Sequence, residues 1–135
     1  MSAWLGVVSA AHVRRGRGLG IAQVCHGKLT PLARMRAGDT LIYYSPSEER
    51  GSDAPLREFT AIGVIADDDI WQADEGTPKP FRRRVEYAPS RAVPLASVQR
   101  ELHLTAAPNW GYQLRRGLVP LDDHDAAVLA DRMRM

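Results

Sequence analysis

A chain of 135 residues with 44% hydrophobic and 25% charged side chains can bury roughly two thirds of the surface it exposes when unfolded, and its composition is far from that of disordered or fibrous chains. A single domain over residues 1–135 is expected, without a disulfide, because Cys25 is the one cysteine; that usage fits a reducing, cytoplasmic setting. Eighteen Lys and Arg against 16 Asp and Glu leave a net charge of +2, too small for bulk attraction to a polyanion, and no apolar run approaches the roughly 20 residues of a membrane span.

Trp4 to Ser9 is a short valine-rich run that reads as a buried strand. Ser9 then caps one or two helical turns over Ala10 to Arg15. Gly16 to Gly27, with four glycines and no periodicity, reads as a loop. Thr30-Pro31 resembles a cap followed by proline at the first helical position, predicting a short helix through Met35. Gly38-Asp39 turns the chain into a strand over Thr40 to Ser45, and Pro46 to Pro55 reads as an exposed, mobile loop.

Phe59 to Ala66 is a core strand, ended by Asp67, Asp68 and Asp69. Ile70 to Ala73 returns as a short strand, Asp74 to Pro80 turns, and Phe81 to Ala88 alternates as a strand with a mixed face. Val93 to Leu104 reads as a weak amphipathic helix, and Asn109 to Tyr112 as a compact aromatic turn. Leu118 to Leu121 forms a closing strand, after which Asp122 caps a last helix with Ala126, Val128, Leu129 and Met133 at helical spacing. Five to six strands with short helices between them predict an α+β fold, a small curved sheet or open barrel with a C-terminal helix. The glycine spacing at Gly16, Gly18 and Gly20 does not match a dinucleotide-binding turn.

Positive charge is almost all arginine, gathered at Arg14-Arg15-Arg17, Arg34-Arg36, Arg82-Arg83-Arg84 and Arg115-Arg116. Guanidinium forks match phosphate oxygens and stack on bases, although charge runs are as often solvated surface. Cys25 next to His26 is a poor catalytic pair, since adjacent residues on extended backbone point apart. His12, His26, His103 and His124 lack the paired spacing of a zinc site, so neither metal nor cofactor is expected. Ser9, His12, Gln23, Cys25, Tyr43, Tyr44, Ser45 and Trp110 together would suit a flat ring with polar edges, such as a nucleobase.

The order of motifs is more specific than any one of them. W-L-G-V-V-S-x-x-H-V from Trp4, G-I-A-Q-V-C-H-G-K from Gly20, P-L-x-R-M-x-x-G-D from Pro31, L-I-Y-Y-S-P from Leu41, F-T-A-I-G-V-I-x-D-D from Phe59, P-F-R-R-R-V-x-Y from Pro80 and N-W-G-Y-x-L-R-R-G from Asn109 resemble an EVE domain of the UPF0310 type. That resemblance implies a PUA-like barrel related to YTH domains and a non-enzymatic reader of modified bases. The base would be 5-methylcytosine or 5-hydroxymethylcytosine in DNA, or a modified RNA base. Carried onto this chain, it implies a pocket of Ser9, His12, Gln23, Val24, Cys25, Tyr43, Tyr44, Ser45 and Trp110, with Arg82 and Arg83 on the backbone phosphates. Restriction-linked relatives carry a fused nuclease, so a separate nuclease or modification enzyme is an expected partner. The competing expectation is an enzyme or binder acting on a free nucleotide or another small planar ligand.

Overall fold

The β-branched and aromatic runs of the sequence form the longest strands of the computed structural model, which describes residues 1–135. In chain order the elements are β1 (Ala3–Val7), α1 (Ala10–Leu19), β2 (Ile21–Ala22), α2 (Leu29–Ala33), β3 (Thr40–Ser47), β4 (Pro55–Ile65), β5 (Trp71–Gln72) and β6 (Phe81–Tyr87). They continue with β7 (Val93–Pro94), α3 (Leu95–Val98), α4 (Trp110–Gln113), β8 (Leu118–Leu121) and α5 (Asp123–Met133). Short tight turns lie at Cys25–Gly27, Leu104–Ala106 and Leu114–Arg116. The main sheet runs β2-β6-β4-β3-β1-β8, with β5 on β6 and β7 on β4, and it curls into an α+β half-barrel with peripheral helices.

Strand β1 pairs with β3 in parallel, and every other strand pair is antiparallel. A parallel neighbour requires a crossover, and α1, β2 and α2 fill it. Alternation along β3 sends Leu41 and Tyr43 to one core, with Val13, Val24, Leu32, Ala61 and Val85. It sends Ile42 and Tyr44 to the other, with Leu5, Phe59 and Val93 and with Leu129 and Met133 of α5. Between Tyr43↔Ala61 and Tyr44↔Phe59 the register shifts by one residue. The extra residue, Thr60, is a bulge whose hydroxyl lies 2.8 Å from that of Ser45.

Two of the three helix caps read from the sequence are present. Ser9 Oγ accepts the N–H of His12, and Asp122 Oδ1 accepts that of Asp125 at 2.8 Å, each contributing about 1 kcal/mol. The expected end of α1 is corrected. The helix continues through Gly16 and Gly18 to Leu19 and stops at Gly20, whose left-handed φ of 68° lets its N–H turn back onto the Arg17 and Gly16 carbonyls. Helix α2 begins at Leu29 behind Lys28, so Thr30 is not its cap. Residues 93–104 hold only β7 and the single turn α3 in place of a continuous helix.

The buried polar groups tie these parts together. Asp39 accepts hydrogen bonds from Trp4 Nε1 at 3.0 Å, Arg36 N at 2.9 Å and Ser2 N at 3.0 Å. Burial pulls its pKa upward, yet those three donors together hold it below the ordinary aspartate range. Arg83 is 1% exposed. It donates through Nη1 to the Leu32 and Met35 carbonyls, both at 2.8 Å, and through Nη2 to the Asp67 carbonyl at 2.6 Å. A buried guanidinium thus ties the carbonyls at the end of α2 to that of Asp67, just past β4.

Candidate nucleic-acid interface

The turn that follows β2 meets the segment that precedes β8 at a seam. Past β2 the chain enters three consecutive left-handed residues, Cys25 (φ 50°), His26 (φ 61°) and Gly27 (φ 80°). A non-glycine residue in this region costs on the order of 1 kcal/mol, so Cys25 and His26 must be held by their surroundings. Gly27 N–H donates to Val24 O at 2.9 Å, and the Cys25 thiol donates to Arg116 O at 3.5 Å. Gly117 closes the contact: a Cβ there would sit 2.7 Å from Cys25 Sγ, and its carbonyl accepts Val7 N–H at 2.8 Å.

Cations border this strained turn. Lys28 and Arg34 both act on the Cys25 thiol; burial is the larger influence and raises its pKa, keeping it a thiol at neutral pH. Arg34 lies 4.9 Å above the Trp4 ring, Arg115 lies 5.9 Å from the centre of the Tyr112 ring, and Arg116 donates to Gln113 Oε1 at 3.2 Å. None of Lys28, Arg34, Arg115 and Arg116 pairs with a carboxylate. Tyr112 is 66% exposed, a flat apolar face within a basic rim.

Gln23 links the seam to a second polar cluster. His12 Nε2 lies 2.7 Å from Gln23 O; a carbonyl only accepts, so Nε2 carries the proton and Nδ1 keeps a free lone pair. Burial lowers the His12 pKa, Arg15, Arg82 and His26 add to the effect, and the ring is neutral at pH 7. Arg82 Nε donates to Gln23 Oε1 at 3.0 Å, and its outer nitrogen pairs with Glu75, which also pairs with Arg15. The cavity among His12, Arg15, Gly16, Leu19, Ile21, Gln23 and Arg82 has a volume of about 30 Å³, enough for a single water.

Ser9, His12, Gln23, Cys25, Arg82 and Trp110 therefore sit at or beside the surface, whereas five other residues of the expected site do not. Val24 and Tyr43 lie in one core and Tyr44 in the other, facing away from each other across the sheet. The Tyr44 ring is spent on Phe59, 5.3 Å away and tilted by 57°. Tyr43 is stacked 6.5 Å from Tyr87, its phenol pushed far above its ordinary range by full burial and then by Tyr87. Ser45 is fully buried against Thr60. Arg83 cannot meet a phosphate, because its guanidinium is already bound to three backbone carbonyls. Arg15, His26, Lys28, Arg34 and Arg116 lie exposed at this surface as well; the arginine clusters and the Cys-His-Gly-Lys run of the sequence were the signals that hinted at it.

Two other features compete for attention. A hollow of about 590 Å³ is lined by Ala96, Gln99, Arg100, Thr105 and Ala106 and offers no aromatic face. His103 and His124 come together with Asp125, but the rings stack in parallel at 3.9 Å and 11°, so their in-plane lone pairs run side by side. Both Asp125 oxygens already accept backbone N–H groups, from His103 and Leu104. The cluster is built as a helix-end brace, not as a set of converging metal ligands.

Comparison with known proteins agrees with this architecture. A UPF0310 protein of Renibacterium salmoninarum is 51% identical over 93% of this chain and 91% of its own length. Another, from Mesorhizobium japonicum, is 44% identical over 96% and 90%. Among solved structures, a protein from Leishmania major superposes with a TM-score of 0.60 at 11% identity, covering 97% of this chain and 93% of that one. Human THYN1 in complex with 5-methylcytosine containing DNA does so with a TM-score of 0.56 at 13% identity, covering 97% and 96%. At such identities these superpositions establish a shared fold. The EVE domain family model matches residues 2–132, and with relatives this similar over nearly their whole length, the chain belongs to the EVE domain family.

Proposed function

We propose that this protein binds nucleic acid and recognises a modified base at the seam between the Cys25–Gly27 turn and the Leu114–Gly117 segment. The observation that carries this reading is the strained left-handed turn set within four cations that pair with no carboxylate. Strain and unpaired charge in one place are costs that packing alone does not require. The human neighbour bound to 5-methylcytosine DNA supplies the ligand class by analogy of fold.

In this reading a base leaves its stack at a cost of a few kcal/mol, offset by contacts in the site. The His12 Nδ1 lone pair, Ser9, the Gln23 amide and the Cys25 thiol address its edges, and Trp110 flanks it. Lys28, Arg34, Arg115, Arg116 and Arg82 meet the phosphates. The cavity beside His12 and Gln23 holds only about 30 Å³, so the base enters by parting the turn from Arg116–Gly117, across which the Cys25 thiol makes one long hydrogen bond.

Equilibrium binding to matched oligonucleotides, plain or carrying 5-methylcytosine or 5-hydroxymethylcytosine, in DNA and RNA, tests the proposal. The expected result is a preference of about tenfold or more, about 1.4 kcal/mol, that survives higher salt. Salt-sensitive binding without preference would reduce the seam to a nonspecific basic surface. A complete lack of oligonucleotide binding would turn attention to free nucleotides.

A further inference from the structure

We propose that Arg15 and Arg82 form a phosphodiester clamp beside the seam, and that the chain keeps this clamp filled with its own Glu75 carboxylate until nucleic acid displaces it. The inference rests on the nucleic-acid reading above and assigns it a gate. Arg82 is the fixed jaw: its side chain is 12% exposed, and the bond from Nε to Gln23 Oε1 leaves its outer nitrogen facing the surface. Arg15, on α1 and 65% exposed, is the mobile jaw. Both guanidinium groups donate to the same oxygen, Glu75 Oε1. One anionic oxygen shared by guanidinium groups from two separate elements is the arrangement a phosphate oxygen takes.

The volume beneath the clamp decides between addition and replacement. The cavity of about 30 Å³ accommodates a water and no phosphate group. An incoming phosphate must therefore take the place of Glu75. The carboxylate is able to leave, because it stands in the loop between β5 and β6. The ends of that loop are pinned by Ala73 N–H to Pro80 O at 2.8 Å and by Gln72 Nε2 to Lys79 O at 3.1 Å. Its remaining ion pair, Lys79 with Asp74, is exposed, and exposed pairs add little stability. Arg82 holds the Glu75 carboxyl below its ordinary range, so the competitor stays charged at neutral pH.

The clamp is contiguous with the seam, since Gln23 both fixes Arg82 and leads through Val24 into Cys25. A base held at the turn would place a neighbouring phosphate within reach of the clamp. Release of Glu75 would then be coupled to the depth of engagement.

Wild type, Glu75→Gln and the double variant Glu75→Gln/Arg15→Gln should be compared for binding to plain and 5-methylcytosine duplexes across a salt series, and to inorganic pyrophosphate by NMR of the arginine side chains. Glu75→Gln should bind both duplexes about three- to fivefold more tightly at low salt, with a salt slope steeper by about one ion. Adding Arg15→Gln should remove the gain. If the wild type binds duplex and Glu75→Gln matches it in affinity and slope, the clamp is wrong and the nucleic-acid reading stands. If no protein binds duplex but pyrophosphate moves the Arg82 signals of Glu75→Gln, the clamp stands and the nucleic-acid reading falls. Failure with both probes overturns the clamp.

Discussion

Arg82 and Arg83 are neighbours on β6, yet they belong to two different regions of the molecule. Arg83 points inward and ends on the carbonyls of Leu32, Met35 and Asp67, joining α2 and the end of β4 to the sheet. Arg82 points to the other face and ends on Gln23 and Glu75, a side chain and a carboxylate that can be exchanged for a ligand. Alternation along a strand makes the difference, and only one of two identical residues remains available to a partner. A cluster of arginines in a sequence is therefore not a patch of arginines on a surface.

The strongest way to break this comparison is Arg83→Ala. Removing a buried guanidinium that satisfies three carbonyls should cost about 3 to 5 kcal/mol, read as a shift of the urea unfolding midpoint. A loss below about 1 kcal/mol would mean that Arg83 is not the internal anchor described. Asp39→Asn comes next, at about 2 kcal/mol, because one of three donors would face an amide nitrogen. Its pH signature is separable. The folded pKa of Asp39 is depressed, so its contribution is present above the ordinary aspartate pKa and is lost as pH falls through the folded value. Wild type should lose its advantage over Asp39→Asn across that acid range.

Arg82→Gln sharpens the comparison from the opposite side. It should lower stability by about 1 kcal/mol or less, while weakening oligonucleotide binding about fivefold and flattening the salt dependence by about one ion. An affinity equal to wild type would remove Arg82 from the interface. The smallest effect is expected at the helix-end brace, where the hydrogen bond that His103 Nδ1 donates to Asp122 raises the pKa of His103. Asp125 faces the same ring, and His124 stacks on it. The stabilisation due to His103 is fully present below the ordinary histidine pKa and is lost as pH rises through the raised folded value. Asp122→Asn keeps an N-cap but removes the charge, so the His103 titration midpoint, followed by NMR, should fall toward the ordinary value; an unmoved midpoint would sink the assignment.

Much of the fold was legible in the sequence because its signals are local. Valine-rich and alternating runs marked β1, β3, β4, β6 and β8, and the side chains of Ser9 and Asp122 marked two helix starts through bonds only three residues long. The misplaced end of α1 shows the limit of such signals. Gly16 and Gly18 look like loop residues on propensity alone, and the stop belongs to Gly20, the one that adopts the left-handed conformation. The expected site was less legible. Tyr43 and Tyr44 looked like a stacking platform, but adjacent strand residues face opposite sides, and here both sides are core.

By itself the sequence determined strands β1, β3, β4, β6 and β8, the caps at Ser9 and Asp122, and the motif order that matches the EVE domain family, because each depends on residues near one another in the chain or on their order along it. Tertiary structure alone decided which arginine is buried, which tyrosine packs where, and that Cys25 meets Arg116 and Gly117 across the seam. It alone placed Glu75 between Arg15 and Arg82, residues 60 and 7 positions away. The reason is geometric. Curling a sheet brings the segments beside its first and last strands together, and no local propensity records which side chains that curl will bring face to face.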